Sequence, residues 1–216
     1  MKLINKKVFT YICLAWIYCF HLSAQNDSIK ATIQVIAKST DTGIVLRWAP
    51  DRPLAWYLSL QAGYKLERME LPSAKSSLSD GKFLTIIQTL KPWPIDAWQP
   101  IAPPITGDNN VAVAAQMIYG KNFKSQNDKN ASFIAKADEL KKRFSYALLA
   151  ADLSANAAHA SALRYVDKSI KKDHVYIYRV SSLAKSDLFT IAPGSVVVHE
   201  KNKIKIPKPE ISHITQ

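Results

Sequence analysis

The stretch Gly43–Arg68, GIVLRWAPDRPLAWYLSLQAGYKLER, decides the fold class of this protein. Its first part, GIVLRW, places Ile44, Leu46 and Trp48 on one face, because successive side chains of a strand point to opposite sides. Its last part, GYKLER, alternates in the same way, and turn-rich residues separate the two parts. Two strands alone do not make a stable domain, so the rest of the sheet must come from elsewhere in the chain.

Further strands are predicted on both sides of a long interval. ATIQVIAKS alternates just before the opening stretch, and HVYIYRVSSL, from His174 to Leu183, alternates far downstream of it. SVVVHE then follows a Pro-Gly turn as one more short strand. Several short alternating strands with turn signals between them indicate an antiparallel β-sandwich.

The interval 71–162 has a different pattern and predicts helices. Capping residues at Asp108–Asn110 precede apolar residues at helical spacing, which stop at Gly120. A longer helix is expected to begin near Ser132, and a short alanine-rich helix is capped by Ser154. We therefore predict a mostly β fold, an antiparallel sandwich interrupted by an α-helical insertion of about 90 residues.

The first 25 residues have the pattern of a signal peptide. Three lysines precede an apolar run, VFTYICLAWIYCFHL, and small residues follow, so cleavage is expected after Ala24 or Gln25; an uncleaved anchor is the alternative. Both cysteines, Cys13 and Cys19, fall inside this segment. We expect a secreted, periplasmic or cell-surface protein whose mature chain has no disulfide and no transmembrane span.

These strands together resemble the fibronectin type III domain. Trp48 matches the buried tryptophan of strand B, GYKLER matches strand C, and LRYVDKSIKKDHVYIYRVSS resembles the end of strand E followed by a tyrosine corner at Tyr176 and strand F. SVVVHE then corresponds to strand G. The resemblance implies that six residues pack in the sandwich core: Trp48, Tyr64, Leu66, Tyr176, Tyr178 and Val180.

The resemblance also implies a domain organisation. The sandwich strands fall in 30–70 and 163–200, the insertion occupies 71–162, and the whole forms one domain over 26–200. Residues 201–216 look like a basic linker or the start of a following domain. The run AAQMIYGKNF is similar to the N-terminal domain of long secreted bacterial proteins with fibronectin type III repeats. That similarity implies a fold and a location, and no catalytic residues.

Catalytic and metal-binding patterns are weak in this sequence. None of the four histidines after the signal segment has a metal-binding spacing, and Ser195 lacks the setting of a nucleophile elbow. Asp138 and Glu139 are placed on a solvated helix face, like the cluster Lys141-Lys142-Arg143. We therefore expect no catalytic residue, no metal and no cofactor, and we predict a non-catalytic interaction or structural module. A hydrolase acting on an envelope or extracellular polymer is the least favoured alternative.

A binding surface is predicted in the insertion. Trp93 and Trp98 lie in the proline-stiffened run KPWPIDAWQP, with Trp56 and Tyr57 as neighbours, and rigid aromatic rings bind partners at low entropic cost. The partner is expected to be a protein, or a glycan in the alternative of a carbohydrate-binding module. The competing interpretation is that these tryptophans cover the seam between sandwich and helices. A net charge of +12 favours an anionic surface, whereas nucleic acid is not expected because no groove-reading motif is present.

Overall fold

A computed structural model describes residues 29–102, 108–121, 132–186 and 189–200. Within these ranges the chain forms eight strands in two sheets together with four α-helices, in comparable amounts, so the sheet-rich prediction is confirmed at this level. The strands are β1 (Ile29–Thr40), β2 (Gly43–Pro50), β3 (Tyr64–Leu71), β4 (Leu84–Leu90), β5 (Arg164–Asp167), β6 (Val175–Ser182), β7 (Phe189–Ala192) and β8 (Gly194–His199). The helices are α1 (Pro53–Ala62), α2 (Asn109–Tyr119), α3 (Phe133–Leu153) and α4 (Ala155–Ala160). The predicted signal peptide 1–25 and linker 201–216 lie outside the described residues.

The two sheets each contain four strands. The first has the order β5-β2-β1-β7 and the second has the order β4-β3-β6-β8. Neighbouring strands are antiparallel except β1 and β7, which are parallel. Strands from the two halves of the sequence therefore pair directly, β2 with β5 and β3 with β6, across the interval that carries the helices.

One hydrophobic core lies between the two sheets. Alternation puts Ile44, Leu46 and Trp48 of β2 on its inner face, as predicted. The facing sheet supplies the aromatic rings of β3 and β6, and Trp48 meets Tyr64 edge-on at 5.9 Å between ring centroids. All six residues expected in the core are buried there: Trp48, Tyr64, Leu66, Tyr176, Tyr178 and Val180.

The gap inside the opening stretch is a helix and not a turn-rich connection. Helix α1 starts with Pro53 in its first turn, where a missing N–H costs nothing. It ends at Gly63, whose φ of 97° is a left-handed conformation that favours glycine, and whose N–H donates to the carbonyl of Ser59 at 2.7 Å. The chain therefore turns back into β3 within one residue of the helix end.

The interval 71–162 is not entirely helical, which corrects the prediction of a helical insertion over that range. It contains the strand β4, which pairs with β3, and the α-helices follow that strand. The helix limits themselves match the capping signals, because Asp108, Ser132 and Ser154 each accept a hydrogen bond from the first turn of α2, α3 and α4. The Ser154 hydroxyl also donates to the Asp108 carboxylate, which ties two helix starts together.

Helix α3 joins the sandwich to the helical part of the molecule, which consists of the four helices and the proline-rich run 91–100. Ala151 belongs to the core between the sheets, Ala150 packs with Trp98 and α2, and Ala147 packs with Trp56 of α1. Small side chains at these positions let three elements approach one helix closely. The helical part is therefore packed against the sandwich and holds the candidate site in a fixed position.

Candidate functional site

The four residues predicted to bind a partner differ in their exposure. Trp56 is 1% exposed and Trp98 is 2% exposed, so neither ring presents a face to solvent. Trp93 is half-buried, and Tyr57 is 39% exposed at the surface of α1. Whether these residues bind a partner stays a prediction, and Tyr57 is the member of the set with the most accessible ring.

The two tryptophans of the proline-rich run are tied to each other and to the helices. The indole N–H of Trp98 donates to the carbonyl of Trp93 at 2.9 Å, and the Tyr119 hydroxyl donates to the same carbonyl. The backbone N–H of Trp93 donates to the carbonyl of Ala160 at 2.9 Å. The Trp93 ring contacts His159 edge-on, and the Trp98 ring contacts Tyr119 edge-on. The tryptophans thus pack the proline-rich run against α2 and α4, within the helical part, and not across a boundary between the sandwich and the helices.

A cleft of about 380 Å³ lies between α1 and the C-terminal end of α2. Its apolar lining comes from Trp56 and Leu60 of α1, Pro92, and Met117 and Ile118 of α2. The cleft is also lined by residues with polar groups: Tyr57, Gln61, Tyr119, Lys121 and Arg143. A recess in which apolar side chains and polar groups converge is a candidate ligand site.

The side chain of Arg143 forms part of this cleft and holds the end of α2. Its guanidinium donates to the carbonyls of Met117 at 3.1 Å and Gly120 at 2.7 Å, and to the carboxylate of Glu139 at 2.9 Å. A cation at a helix C-terminus satisfies carbonyls that the helix itself leaves unpaired and interacts favourably with the helix dipole. The cleft wall at Met117 is therefore fixed by a residue on another helix.

The burial of Arg143 and Glu139 corrects the sequence interpretation. Both were expected on a solvated face, yet they are 3% and 5% exposed. The signal that could have placed them inside is their i,i+4 spacing with each other and with Ala147, which continues the row toward the alanine-rich buried face. Lys141 and Lys142 are exposed as expected.

No protein-family model, curated protein or solved structure significantly matches this chain.

Within 29–102, 108–121, 132–186 and 189–200, no group of three or more His, Cys, Asp or Glu side chains could hold a metal ion. In the same part of the chain, no helix combines the length and the apolar character needed to cross a membrane.

A second polar cluster lies within the sandwich, away from the cleft. The carboxylate of Asp167 accepts hydrogen bonds from the hydroxyls of Tyr178 at 2.8 Å and Ser169 at 2.7 Å, and from the guanidinium of Arg68 at 2.7 Å. Burial alone would raise the pKa of Asp167, but these donors hold that pKa below its usual value. The same burial, with the Asp167 charge nearby, raises the pKa of the Tyr178 phenol. Both oxygens of the Asp167 carboxylate are hydrogen-bonded, which fits a structural role for the cluster.

Tyr176 makes the local contact expected of a tyrosine corner. Its hydroxyl accepts a hydrogen bond from the backbone N–H of Lys171 at 2.6 Å, five residues upstream. Ile170 packs against the same core, and the guanidinium of Arg68 lies 5.4 Å from the centre of the Tyr176 ring. The corner therefore fixes the connection between β5 and β6.

Proposed function

We propose that this protein is an exported, non-catalytic interaction module of fibronectin type III type, with its binding surface in the helical part. The strand order supports the fold assignment. When β1, β2, β3, β5, β6 and β8 are taken as strands A, B, C, E, F and G, strands A, B and E share one sheet and C, F and G share the other. That is the distribution of an immunoglobulin-like sandwich. The hydrogen bond between Tyr176 and Lys171 adds a second family feature.

The observation that carries the functional proposal is the cleft beside Trp56 and Met117. Its volume of about 380 Å³ is enough for one large side chain with part of its backbone, and its walls combine apolar side chains with polar groups. The Arg143 contacts hold one wall in place, so little conformational entropy is lost when a ligand enters. The proposed ligand is an extended peptide segment of a partner protein that inserts an apolar side chain.

A carbohydrate-binding module remains the alternative, and the geometry favours it less. Sugar binding by stacking needs flat aromatic faces open to solvent, and Trp56 and Trp98 do not offer one. Tyr57 remains exposed, while Trp93 is half-buried with His159 edge-on to it. A platform for a chain of sugar rings would have to be built on these two residues.

The test is selection of a random-peptide display library on the purified protein. Peptides that bind the cleft should share an apolar anchor residue, and they should lose about five- to thirtyfold in affinity with Tyr57→Ala, since a ring at the mouth contributes about 1–2 kcal/mol. Leu54→Ala is the matched control, because Leu54 is an exposed apolar residue of the same helix that does not line the cleft.

Three outcomes would contradict the peptide proposal. The first is a selection without enriched peptides, and the second is enriched peptides that bind both variants equally. The third is binding of soluble polysaccharides that depends on Tyr57, which would favour the carbohydrate alternative.

Export has its own test. The intact mass of the protein recovered outside the cytoplasm should correspond to loss of the first 24 or 25 residues. A mass that still includes Met1 would contradict cleavage.

A further inference from the structure

Among the described residues, strand β4 is an edge strand whose second side has no strand beside it. It lies at the end of the order β4-β3-β6-β8, and its backbone partner in that sheet is β3. Within the described ranges, no backbone hydrogen bond outside the sheets involves residues 84–90. An edge of this kind presents a row of donors and acceptors that can pair with another strand.

The composition of β4 lacks the features that usually block such pairing. Its sequence is LTIIQTL, which contains no charge, no proline and no glycine, in a chain whose net charge is +12. Lysine and proline are the residues that most often protect an edge strand. Leu84 is 61% exposed, and Thr85, Gln88 and Thr89 are exposed as well. A neighbouring strand therefore meets neither a charge nor a missing N–H.

The sequence of β4 is almost the same in both directions. Read from either end, LTIIQTL begins with Leu-Thr and has Ile87 at its centre. Two antiparallel copies centred on Ile87 would place Leu84 opposite Leu90 of the other copy and Thr85 opposite Thr89. Ile87 would meet its own counterpart. Threonine pairs and aliphatic pairs are favourable cross-strand neighbours, and a two-fold interface needs this kind of self-complementarity.

We infer that β4 is a homodimerisation edge, at which two copies of this protein pair their β4 strands antiparallel about Ile87. The occupant is a second copy because the strand complements itself and carries no charge that would repel its own image. The β4-β3-β6-β8 sheet of one copy then joins that of the other copy, and together they form one continuous sheet of eight strands across the two-fold axis.

The pairing of β4 with β3 shifts register twice, between Tyr64 and Leu66 and again between Leu66 and Glu67. Such bulges bend a strand and shorten the straight edge that a partner can use. Pairing over seven residues buries an area at the small end of the range for protein interfaces. The dimer is therefore concentration-dependent, and it exchanges with the monomer.

The experiment is sedimentation velocity of the purified protein from about 1 to about 300 µM, a range that includes the dissociation constants expected of a small interface. The wild-type sedimentation coefficient should rise from the monomer value toward the dimer value. Thr85→Lys/Thr89→Lys puts two pairs of like charges face to face across the axis and should keep the protein monomeric. Thr85→Lys/Thr89→Glu turns the same contacts into two ion pairs and should restore association.

The substitutions are chosen to leave the fold intact. Thr85 and Thr89 are exposed, and Thr85 stands opposite Glu67 in β3, where an introduced lysine meets an acid. Ser195→Lys/Val197→Lys is the matched control, since it adds the same charge to exposed positions of β8, the opposite edge of the same sheet. The control should associate like the wild type, and all variants should melt within about 4 °C of it.

A wild-type protein that stays monomeric over the whole range would overturn the inference. So would a loss of association in the β8 control equal to that of the double-lysine variant, or a failure of the lysine–glutamate variant to associate. Hydrogen exchange of the wild type gives a readout that needs no variant. The amides of residues 84–90 should gain protection as the concentration rises while those of β8 do not, and unchanged exchange in β4 would contradict the dimer.

Discussion

The guanidinium of Arg68 lies 2.7 Å from the carboxylate of Asp167, and this contact joins the two sheets of the sandwich. Arg68 belongs to β3 of the second sheet and Asp167 to β5 of the first. The Arg68 side chain is 14% exposed and that of Asp167 is 2% exposed, so solvent screens the pair weakly. Removing one partner of such a pair leaves the other charge without compensation.

The first prediction concerns Asp167. Asp167→Asn should lower the free energy of unfolding by about 2–4 kcal/mol at neutral pH, because Arg68 loses a buried partner and the amide accepts fewer hydrogen bonds than the carboxylate does. Urea denaturation measures the change. Asp138→Asn is the control, since Asp138 is an acid on the exposed face of α3 and should change stability by less than about 0.5 kcal/mol.

The lowered pKa of Asp167 also predicts how the stability of the protein changes with pH. The pKa of Asp167 is lower in the folded protein than in the unfolded chain, so its contribution is complete above the unfolded pKa and disappears as the pH falls through the folded pKa. Stability should therefore decline below about pH 4. Hydrogen bonds from Arg179 and Lys171 also lower the pKa values of Glu67 and Glu70. Asp167→Asn should thus weaken the loss of stability at low pH without abolishing it. An unchanged slope of the unfolding free energy against pH would contradict the contribution ascribed to Asp167.

The second prediction concerns the tyrosine corner. Tyr176→Phe should reduce stability by about 1 kcal/mol, because the backbone N–H of Lys171 loses its acceptor while the ring keeps its packing. Thermal unfolding measures the effect against Tyr146→Phe, which alters an exposed tyrosine of α3. Equal melting temperatures for the two variants would show that the corner contributes nothing to stability.

The parts of the fold that were predictable are those in which one local pattern determines burial. In β2 and β6 every second residue faces the core, so the alternation that places Trp48 and Tyr178 inside is visible in the sequence. Helix starts at Asp108 and Ser154 were equally visible, because a capping side chain acts on its own helix.

The missed elements lack such a local pattern. In β4 the two register shifts let the consecutive residues Ile86 and Ile87 both pack on the core, which destroys the alternation. In α1, apolar residues occur on several sides, because Trp56 and Leu60 face the helical part while Leu54 is exposed. The hydrogen bonds from Arg143 to carbonyls at the end of α2 join residues more than twenty positions apart, and no window around Arg143 predicts these contacts.

The third prediction separates the two tryptophans of the proline-rich run. Trp98→Ala should cost about 3–5 kcal/mol, since a buried ring that packs with α2 leaves a cavity and its N–H bond to Trp93 is lost. Trp93→Ala should cost less, because that ring is half-buried and the Trp93 carbonyl that accepts from Trp98 is retained. Chemical denaturation ranks the two variants. The reverse order would contradict the larger packing role given to Trp98.

The last prediction tests whether Arg143 holds the cleft. Arg143→Met keeps most of the apolar stem but removes the donors to Met117 and Gly120, and it leaves the Glu139 carboxylate buried without a counter-charge. We expect a loss of about 3 kcal/mol in unfolding free energy.

The double variant Glu139→Gln/Arg143→Met also removes the isolated carboxylate, so it should recover about 1–2 kcal/mol of that loss. Lys142→Met is the matched control, because it removes a cation from the exposed face of the same helix. If the guanidinium positions the wall at Met117, the double variant should still bind a peptide selected on the wild type at least about fivefold more weakly, although it is folded. Full binding by the double variant would show that Arg143 stabilises the helices without shaping the cleft.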